Sequence, residues 1–588
     1  MQFSWLEVKN FRNFKDIKVD LTNQNVIFGM NDIGKTNFLA ALRFLFDRDI
    51  RKNGLTESDF YMRDTGKDIS ITICMNIKDF DDSDHSKLIV SRLKDARDST
   101  DLENVYLKLF GRYDKEEELG GITLFWGNNL KKMKEIPQKN GFTELDRIFK
   151  VVYIDPLINL EHIFQKNKKA IFAQEKFSKT DIEKSDKIKS LTREINTQIG
   201  EMDIINNFEK EITKEYYSLK NEELEVTIKS EMAINGYFSD LKPYIKKSND
   251  DNLYPTSGDG RKKIISYSLM NYVSRNFNSE KISLFLIEEP ENSLHRSLQI
   301  ALSKKLFSHE SYRYFFLTTH SSELLYEMDN ASLIRVHSAD KVVCSSYLYN
   351  VGEDYINIKT QLNKFLVTAI FSERVLLIEG PSERVLFEKV LNEIKPDYEL
   401  EGAYILEVYG ISFKKYWDVL NGLGIKVFVK TDNDLKRKKG SPDTFDLIGF
   451  NRALELCGEE KKKPITIAFE KTDTDIDKNE KIKNSKIKIF DNYRKSKKII
   501  KENNIFLSRI DLEHDLYEAL GTRLEELTGS KDPIKYLQSS KLINMAELTK
   551  VLNHTDCQKI YDDSRFIVLK ELINNGDKRS KYKGSDIE

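Results

Sequence analysis

The chain has 588 residues, of which 39% are hydrophobic and 32% charged, with a formal net charge of −1. Such a length predicts at least two domains, and 34 Phe and 26 Tyr supply the apolar area for several cores, which excludes a disordered chain. The longest apolar runs have strand length, which excludes a membrane span of roughly 20 residues, and the balanced charge means that any nucleic-acid binding must rest on local basic surfaces.

Residues 3–8 read as a strand and residues 10–13 as a turn, and the first residues carry charges where a secretion signal needs an apolar stretch. A second strand at 25–28 runs into Gly29-Met30-Asn31-Asp32-Ile33-Gly34-Lys35-Thr36, which fits G-x-x-x-x-G-K-[ST], and residues 37–42 read as a helix. Strand, glycine loop and helix are the context that distinguishes a phosphate loop from a surface turn. The glycines let backbone N–H groups turn inward around a phosphate, and the helix N-terminus adds positive dipole character. Lys35 would reach the β- and γ-phosphates and the Thr36 hydroxyl would ligate Mg²⁺. Asn31, Gly34 and Asn37 complete this expected ATP site.

A helical insertion is expected over about 165–235. Leu191, Ile195, Ile199, Met202, Ile205, Phe208, Ile212, Tyr216 and Leu219 recur every three or four residues, the period of an amphipathic helix that Gly200 would break in two. It either packs on its own domain or makes a dimerising contact between subunits. Ser257-Gly258 sits in a turn that is uninformative alone.

The apolar run 282–287 reads as a strand buried on both faces, ending in Glu288-Glu289-Pro290-Glu291. Glu288 would bind Mg²⁺ and Glu289 would polarise a water for attack on the γ-phosphate; an acidic turn is the plain alternative. Residues 314–317 lead similarly to His320, at a strand end where open α/β sheets place ligands. It would contact the γ-phosphate or orient the water, although a lone His is more often simply a satisfied side chain. In order, these pieces and Ser293-Leu294-His295 resemble the head of ABC-type ATPases of the SMC, RecF and OLD kind. The resemblance implies head-to-head dimers in which Ser257-Gly258 of one subunit covers the γ-phosphate held by Lys35 of another. Glu288 departs from the usual Asp.

After about residue 350 the pattern restarts. A strand at 374–378 precedes Glu379-Gly380-Pro381-Ser382-Glu383, a strand at 425–430 precedes Thr431-Asp432-Asn433-Asp434, and residues 505–507 precede Asp511-Leu512-Glu513-His514-Asp515. Each places carboxylates at or beyond a strand end, and Asp432 and Asp434 would point to one side of an extended backbone. Clustered carboxylates repel without a cation, so the set reads as a Mg²⁺ or Mn²⁺ site. Two such ions suit phosphodiester cleavage. Each segment alone is an ordinary loop; the ordered triple carries the weight.

This order resembles a Toprim domain, a Rossmann-like α/β fold, and with the downstream Asp-Leu-Glu-x-Asp-Leu it is similar to the OLD-family nucleases. VIFGMNDIGKTNFL, YPTSGDGRKK, LLIEGPSE and KTDNDLK resemble in particular the nuclease component of the Gabija anti-phage system. The resemblance covers nearly the whole chain. It implies an ABC/SMC-type ATPase head at 1–345 with the helical insertion, and a Toprim endonuclease domain at 346–588. It implies a metal-dependent endonuclease on double-stranded DNA, regulated by nucleotide, with Glu379, Glu383, Asp432, Asp434, Asp511 and Glu513 as metal-binding acids and Lys541 matching a catalytic lysine. It implies dimerised heads in a homotetramer and a UvrD-like helicase partner, GajB. A non-nucleolytic RecF- or SMC-like DNA clamp would leave those six acids without work, and a Toprim topoisomerase would need a nucleophilic Tyr in a separate domain.

The Lys-rich segment 459–504 reads by default as a solvated helix or mobile insertion, with contact to a DNA backbone as the alternative. The last residues, from 574, read as disordered. Cys74, Cys344, Cys457 and Cys557 lie too far apart for zinc spacing and suit reduced thiols in a cytoplasmic protein.

Overall fold

The computed structural model describes residues 1–574 except 31–33, 80–82, 94–95, 98–100, 140–141, 157–159, 161–162, 165–178, 220–226, 228–243, 247–252, 256–259, 261, 264, 270–280, 339–340 and 409–412. Asn31, Ser257, Gly258, both ends of the expected helical insertion and the tail beyond 574 therefore lie outside the described residues. The chain divides into two compact units, Met1–Tyr153 with Leu284–Glu291 and His295–Glu588, and Ile154–Ser283 with Asn292–Leu294.

In the first unit a six-stranded sheet has the order Phe149–Ile154, Ile282–Glu288, Phe315–Thr318, Gln24–Phe28, Ala331–Ser338, Val342–Tyr349. The pairings from Ile282–Glu288 through Ala331–Ser338 are parallel, and Val342–Tyr349 is an antiparallel edge. Phe285, Leu286, Ile287, Val26, Ile27 and Phe28 are fully buried, which is why these strands read as unbroken apolar runs rather than alternating ones. The register pairs Glu288 with Thr318 and Thr318 with Ile27. Glu288, Thr318 and the loop after Phe28 therefore open onto one strand-end edge, the ligand edge of an open α/β sheet. A second, antiparallel sheet contains Gln2–Phe11, Ile69–Asn76, Asn104–Asp114 and Leu119–Gly127. It joins the first through Phe3, whose ring meets those of Phe46, Tyr314 and Phe316.

A four-stranded parallel sheet in the same unit has the order Ala403–Glu407, Arg374–Ile378, Lys426–Thr431, Ile505–Leu507. Leu376, Ile378 and Phe428 share one core with Leu386, Leu516, Met545, Ile560 and Leu569, so helices Pro381–Ile394, Leu512–Leu520, Lys541–Val551, His554–Asp562 and Ile567–Ile573 cover one side of this sheet. The Lys-rich segment contains two helices, Asp475–Asn492 and Arg494–Glu502. A reciprocal capping box between Thr474 and Asp477 starts the first.

The two sheets meet through the hairpin Ala331–Tyr349. Arg335 Nη1 donates to the Gly424 carbonyl at 3.0 Å, Lys415 Nζ donates to the Asn350 carbonyl, and a Cβ on Gly422 would lie 2.4 Å from the Tyr347 ring. The expected boundary at 345 falls inside the strand Val342–Tyr349; the ladder with Ala331–Ser338 continues to the pair Ala331 and Tyr349, and composition carries no mark of where a ladder ends.

In the second unit, helices Lys179–Gly200 and Asp203–Leu219 flank the expected break at Gly200. Leu191, Ile195, Met202 and Phe208 are half-exposed.

Candidate functional site

Gly29 and Gly34 have φ of 153° and 119°, and neither has room for a side chain. A Cβ would lie 2.1 Å from the Val336 carbonyl oxygen at Gly29 and 1.9 Å from Asn13 Nδ2 at Gly34. The loop they shape leads into helix Lys35–Phe46. Lys35 is buried, and its Nζ donates to the carbonyls of Gly29 at 3.2 Å and Met30 at 2.9 Å. Thr36 Oγ1 donates to Glu288 Oε1 at 2.5 Å, and Tyr153 OH donates to Glu288 Oε2 at 2.5 Å. A hydroxyl on the loop facing a carboxylate on the neighbouring strand is the donor pair that P-loop proteins use for Mg²⁺, so these residues fit a metal–nucleotide. Asn37 Oδ1 accepts from Arg12 Nη1 at 3.1 Å, and its Nδ2 donates to Asn13 Oδ1 at 3.0 Å.

Glu289 holds φ at 41°, a strained conformation for a side chain of its size and one that concentrates at working sites. His320 Nε2 lies 3.4 Å from Glu289 Oε1, and burial, with the Lys35 charge, holds its imidazole below the ordinary value. Glu291 Oε1 accepts from Thr319 Oγ1 at 2.9 Å and from the His320 amide at 2.6 Å; burial pushes this carboxyl up. The structure thus brings Lys35, Thr36, Glu288, Glu289 and His320 to one strand-end edge.

At the second sheet, Glu379 follows strand Arg374–Ile378 and Glu383 lies in the first turn of helix Pro381–Ile394. Glu379 Oε1 accepts from Thr431 Oγ1 at 2.7 Å, from the Asp432 amide at 3.1 Å and from Arg452 Nη1. Asp432 is buried, whereas Asp434 is half-exposed and paired with Lys486 Nζ at 3.0 Å. Asp511 caps helix Leu512–Leu520 by accepting from the His514 amide at 2.9 Å; it also accepts from His514 Nδ1 at 2.6 Å and Gln538 Nε2 at 3.0 Å. Glu513 is buried, 3.5 Å from Lys541 Nζ, and its Oε2 has no hydrogen-bond partner.

Burial, then the charges of Glu379, Glu383, Asp511 and Asp434, hold the Asp432 carboxyl well above the carboxylate range. Burial and Glu379 push Glu383 up to about 7. Burial raises Glu513 as well. Burial also pushes Asp511 up, but His514 outweighs it and leaves this carboxyl below its ordinary value. Burial opposes the Lys541 charge, yet Glu513, Asp432, Asp511 and Glu383 together hold its ammonium above the ordinary value. The six expected acids and Lys541 therefore share one field. Among the described residues no three His, Cys, Asp or Glu side chains are arranged to hold a metal ion as they stand; Arg452, Lys486 and His514 each take a carboxylate. The donor set nevertheless fits a divalent cation, which would relieve mutual repulsion and engage the orphaned Glu513 oxygen.

Sequence reasoning missed Tyr153, Arg452, Lys486 and His514. Only His514 had a local signal, three residues from Asp511.

Residues 1–325 match the family model described as an AAA ATPase domain, and residues 370–434 match that of the Overcoming lysogenization defect protein-like TOPRIM domain. Together with the two strand-end sites, these matches define an ATPase-headed nuclease of the OLD kind. The chain is 50% identical over 575 residues to Endonuclease GajA of Bacillus cereus strain VD045, covering 98% of this chain and 100% of that one. It is 22% identical over 551 residues to a second Endonuclease GajA, of B. cereus strain HuB5-5, covering 76% of this chain and 77% of that one. It is 23% identical over 481 residues to the Old nuclease of Escherichia phage P2, covering 73% and 76%. The chain belongs to the GajA endonuclease family. A clamp-type ATPase without nuclease activity is thereby set aside, and no described helix is long and apolar enough to cross a membrane.

Proposed function

We propose that this protein is a metal-dependent endonuclease that nicks or cleaves double-stranded DNA under the control of ATP at its head, acting in the bacterial cytoplasm in anti-phage defence of the Gabija type. The observation that carries the reading is the buried carboxylate field around Asp432 with Lys541 on its rim. In this reading Glu379, Glu383, Asp432, Asp434, Asp511 and Glu513 hold Mg²⁺ or Mn²⁺. The chemistry such ions supply when bound is an activated water and neutralisation of the leaving oxygen. Lys541 stabilises charge on the scissile phosphate, and Arg452 keeps Glu379 oriented until a cation competes for it.

In the head, Lys35 turns from its own loop carbonyls to the β- and γ-phosphates. Thr36 and Glu288 hold Mg²⁺, and Asn31, Gly34 and Asn37 complete the nucleotide loop. Glu289, paired with His320, positions the attacking water. Ser257-Gly258 of a second subunit closes the site. The division into a head, expected at 1–345, and a Toprim half, expected at 346–588, belongs to the same reading, with the boundary moved past the end of the strand Val342–Tyr349. So does a homotetramer of dimerised heads, with the half-exposed apolar face of helix Lys179–Gly200 as a subunit contact, and so does a UvrD-like helicase partner, GajB.

The test is cleavage of plasmid and linear duplex with Mg²⁺ or Mn²⁺ across an ATP titration, with wild type beside Glu379→Ala. Metal-dependent cutting that vanishes in Glu379→Ala is expected, and the ATP series gives the sign of regulation. Cutting retained by purified Glu379→Ala would sink the assignment of these acids.

A further inference from the structure

Beside the carboxylate field lies a basic cleft that the reading above does not use. Its volume is about 700 Å³, and its walls come from helix Arg494–Glu502, strand Ile505–Leu507 and residues 564–567. Arg494, Lys497, Lys498, Lys501, Arg509 and Arg565 line it, in a chain whose formal net charge is −1. Its carboxylates are already matched. Asp515 pairs with Lys430 at 2.8 Å, Asp491 with Arg509 at 2.7 Å and Glu518 with Arg565. Among the described residues, Arg494, Lys497 and Lys501 have no ion-pair partner, so the surplus charge faces the cleft. Ile500, Phe506, Leu507 and Ile567 add apolar lining, and Phe490 stands on the wall with Lys497 Nζ 3.8 Å above its ring.

The cleft shares a wall with the carboxylate site. Leu507 and Arg509 line it, Asp511 follows two residues later, and the Arg509 carbonyl accepts from Asn433 Nδ2 at 3.1 Å, between Asp432 and Asp434. Its lining restricts the ligand: a duplex keeps its bases paired and stacked inside and would offer only phosphates and sugars, leaving the apolar and aromatic wall unused. Cations together with apolar and aromatic surface are what an unpaired strand requires, with phosphates on the charges and bases or sugars on the apolar lining.

We propose that this cleft holds a short unpaired stretch of nucleic acid adjoining the cleavage site, so that the protein favours duplexes carrying a flap or frayed strand. The proposal rests on the nuclease reading above and names a feature of its substrate. Phosphates of a free nucleotide would satisfy the same cations, so the experiment separates the two sources.

The test measures fluorescence anisotropy in full-length Glu379→Ala protein with Mg²⁺, which binds without cutting, against a blunt duplex and the same duplex with an unpaired tail. The added substitutions are Arg494→Ala, Lys497→Ala and Lys501→Ala together, on a solvent-facing helix where Ala is well tolerated. The parent should bind the tailed duplex at least tenfold more tightly than the blunt one. The triple variant should lose that preference, keep its blunt-duplex affinity and show a slope of log K against log salt smaller by roughly 2, as expected for three lost single-strand phosphate contacts. Unchanged tailed binding in a variant with native circular dichroism overturns the proposal, and so does an equal loss on both probes, which would place a duplex on the rim. ATP binding that survives Lys35→Ala and disappears with the cleft substitutions would assign the cleft to free nucleotide and overturn it too. A parent that binds neither duplex overturns the nuclease reading itself, and the cleft's role with it.

Discussion

Lys35 donates to two carbonyls of the loop that carries it, an arrangement that a phosphate can displace because a charge-assisted bond to an anion is stronger than one to a carbonyl. Lys35→Ala should weaken ATP binding at least tenfold in isothermal titration, a difference of about 1.4 kcal/mol, while leaving the carboxylate site intact. Tyr153→Phe removes one of the two donors on Glu288 and should lower Mg·ATP affinity by a smaller factor, because Thr36 remains. At this scale the phosphate loop was legible because its chemistry is contiguous: Gly29, Gly34, Lys35 and Thr36 lie within eight positions. Tyr153 was not, since 135 residues separate it from Glu288, and Arg452 was not, since 73 residues separate it from Glu379. Such partners are chosen by tertiary packing, and no spacing rule points to them.

The strand Lys426–Thr431 and the helix Leu512–Leu520 carry the central acids of the second site. They are locked together by the buried pair Lys430 and Asp515, 2.8 Å apart. Asp515→Asn leaves an ammonium buried without its counter-charge, which typically costs roughly 3–5 kcal/mol; thermal unfolding should show a clear drop in Tm, larger than for Asp434→Asn, whose partner Lys486 reaches a half-exposed carboxylate. The Lys-rich segment shows what composition conceals. Its helices are mostly solvated, as expected, yet Lys486 is only 13% exposed and is drawn inward onto Asp434. The amphipathic period over 191–216 located the inserted helices, and Gly200 ends the first of them, but periodicity states only that one face is apolar, not what covers it. If that face joins subunits, Leu191→Asp with Ile195→Asp should reduce the mass seen in sedimentation velocity while each chain keeps its helical circular dichroism. An unchanged mass would remove these residues from the oligomer contact.

The order of elements makes the two-part architecture legible in the sequence: one strand–loop–helix restarts near residue 350, and each half places its acids at strand ends. The junction was not legible, because the hairpin Ala331–Tyr349 belongs to the head sheet while its surface receives the Toprim half. Val336 presses its carbonyl against Gly29, and the adjacent Arg335 holds the carbonyl of Gly424, two residues before the strand Lys426–Thr431 that leads into Asp432. Arg335→Ala should leave basal cleavage and ATP affinity near wild type but flatten the dependence of cleavage on ATP. A full ATP response in that variant would show that this contact transmits nothing.

That short path from the phosphate loop to the carboxylate field has a consequence in the opposite direction. Equilibrium coupling is reciprocal: whatever factor ATP imposes on DNA affinity, DNA must impose on ATP affinity, with a coupling free energy of typically about 1–3 kcal/mol. If the Arg335 contact couples the two sites, DNA arriving at the Toprim sheet is an effector of the head, and the cell's nucleotide level and its DNA load enter as two arguments of one binding polynomial.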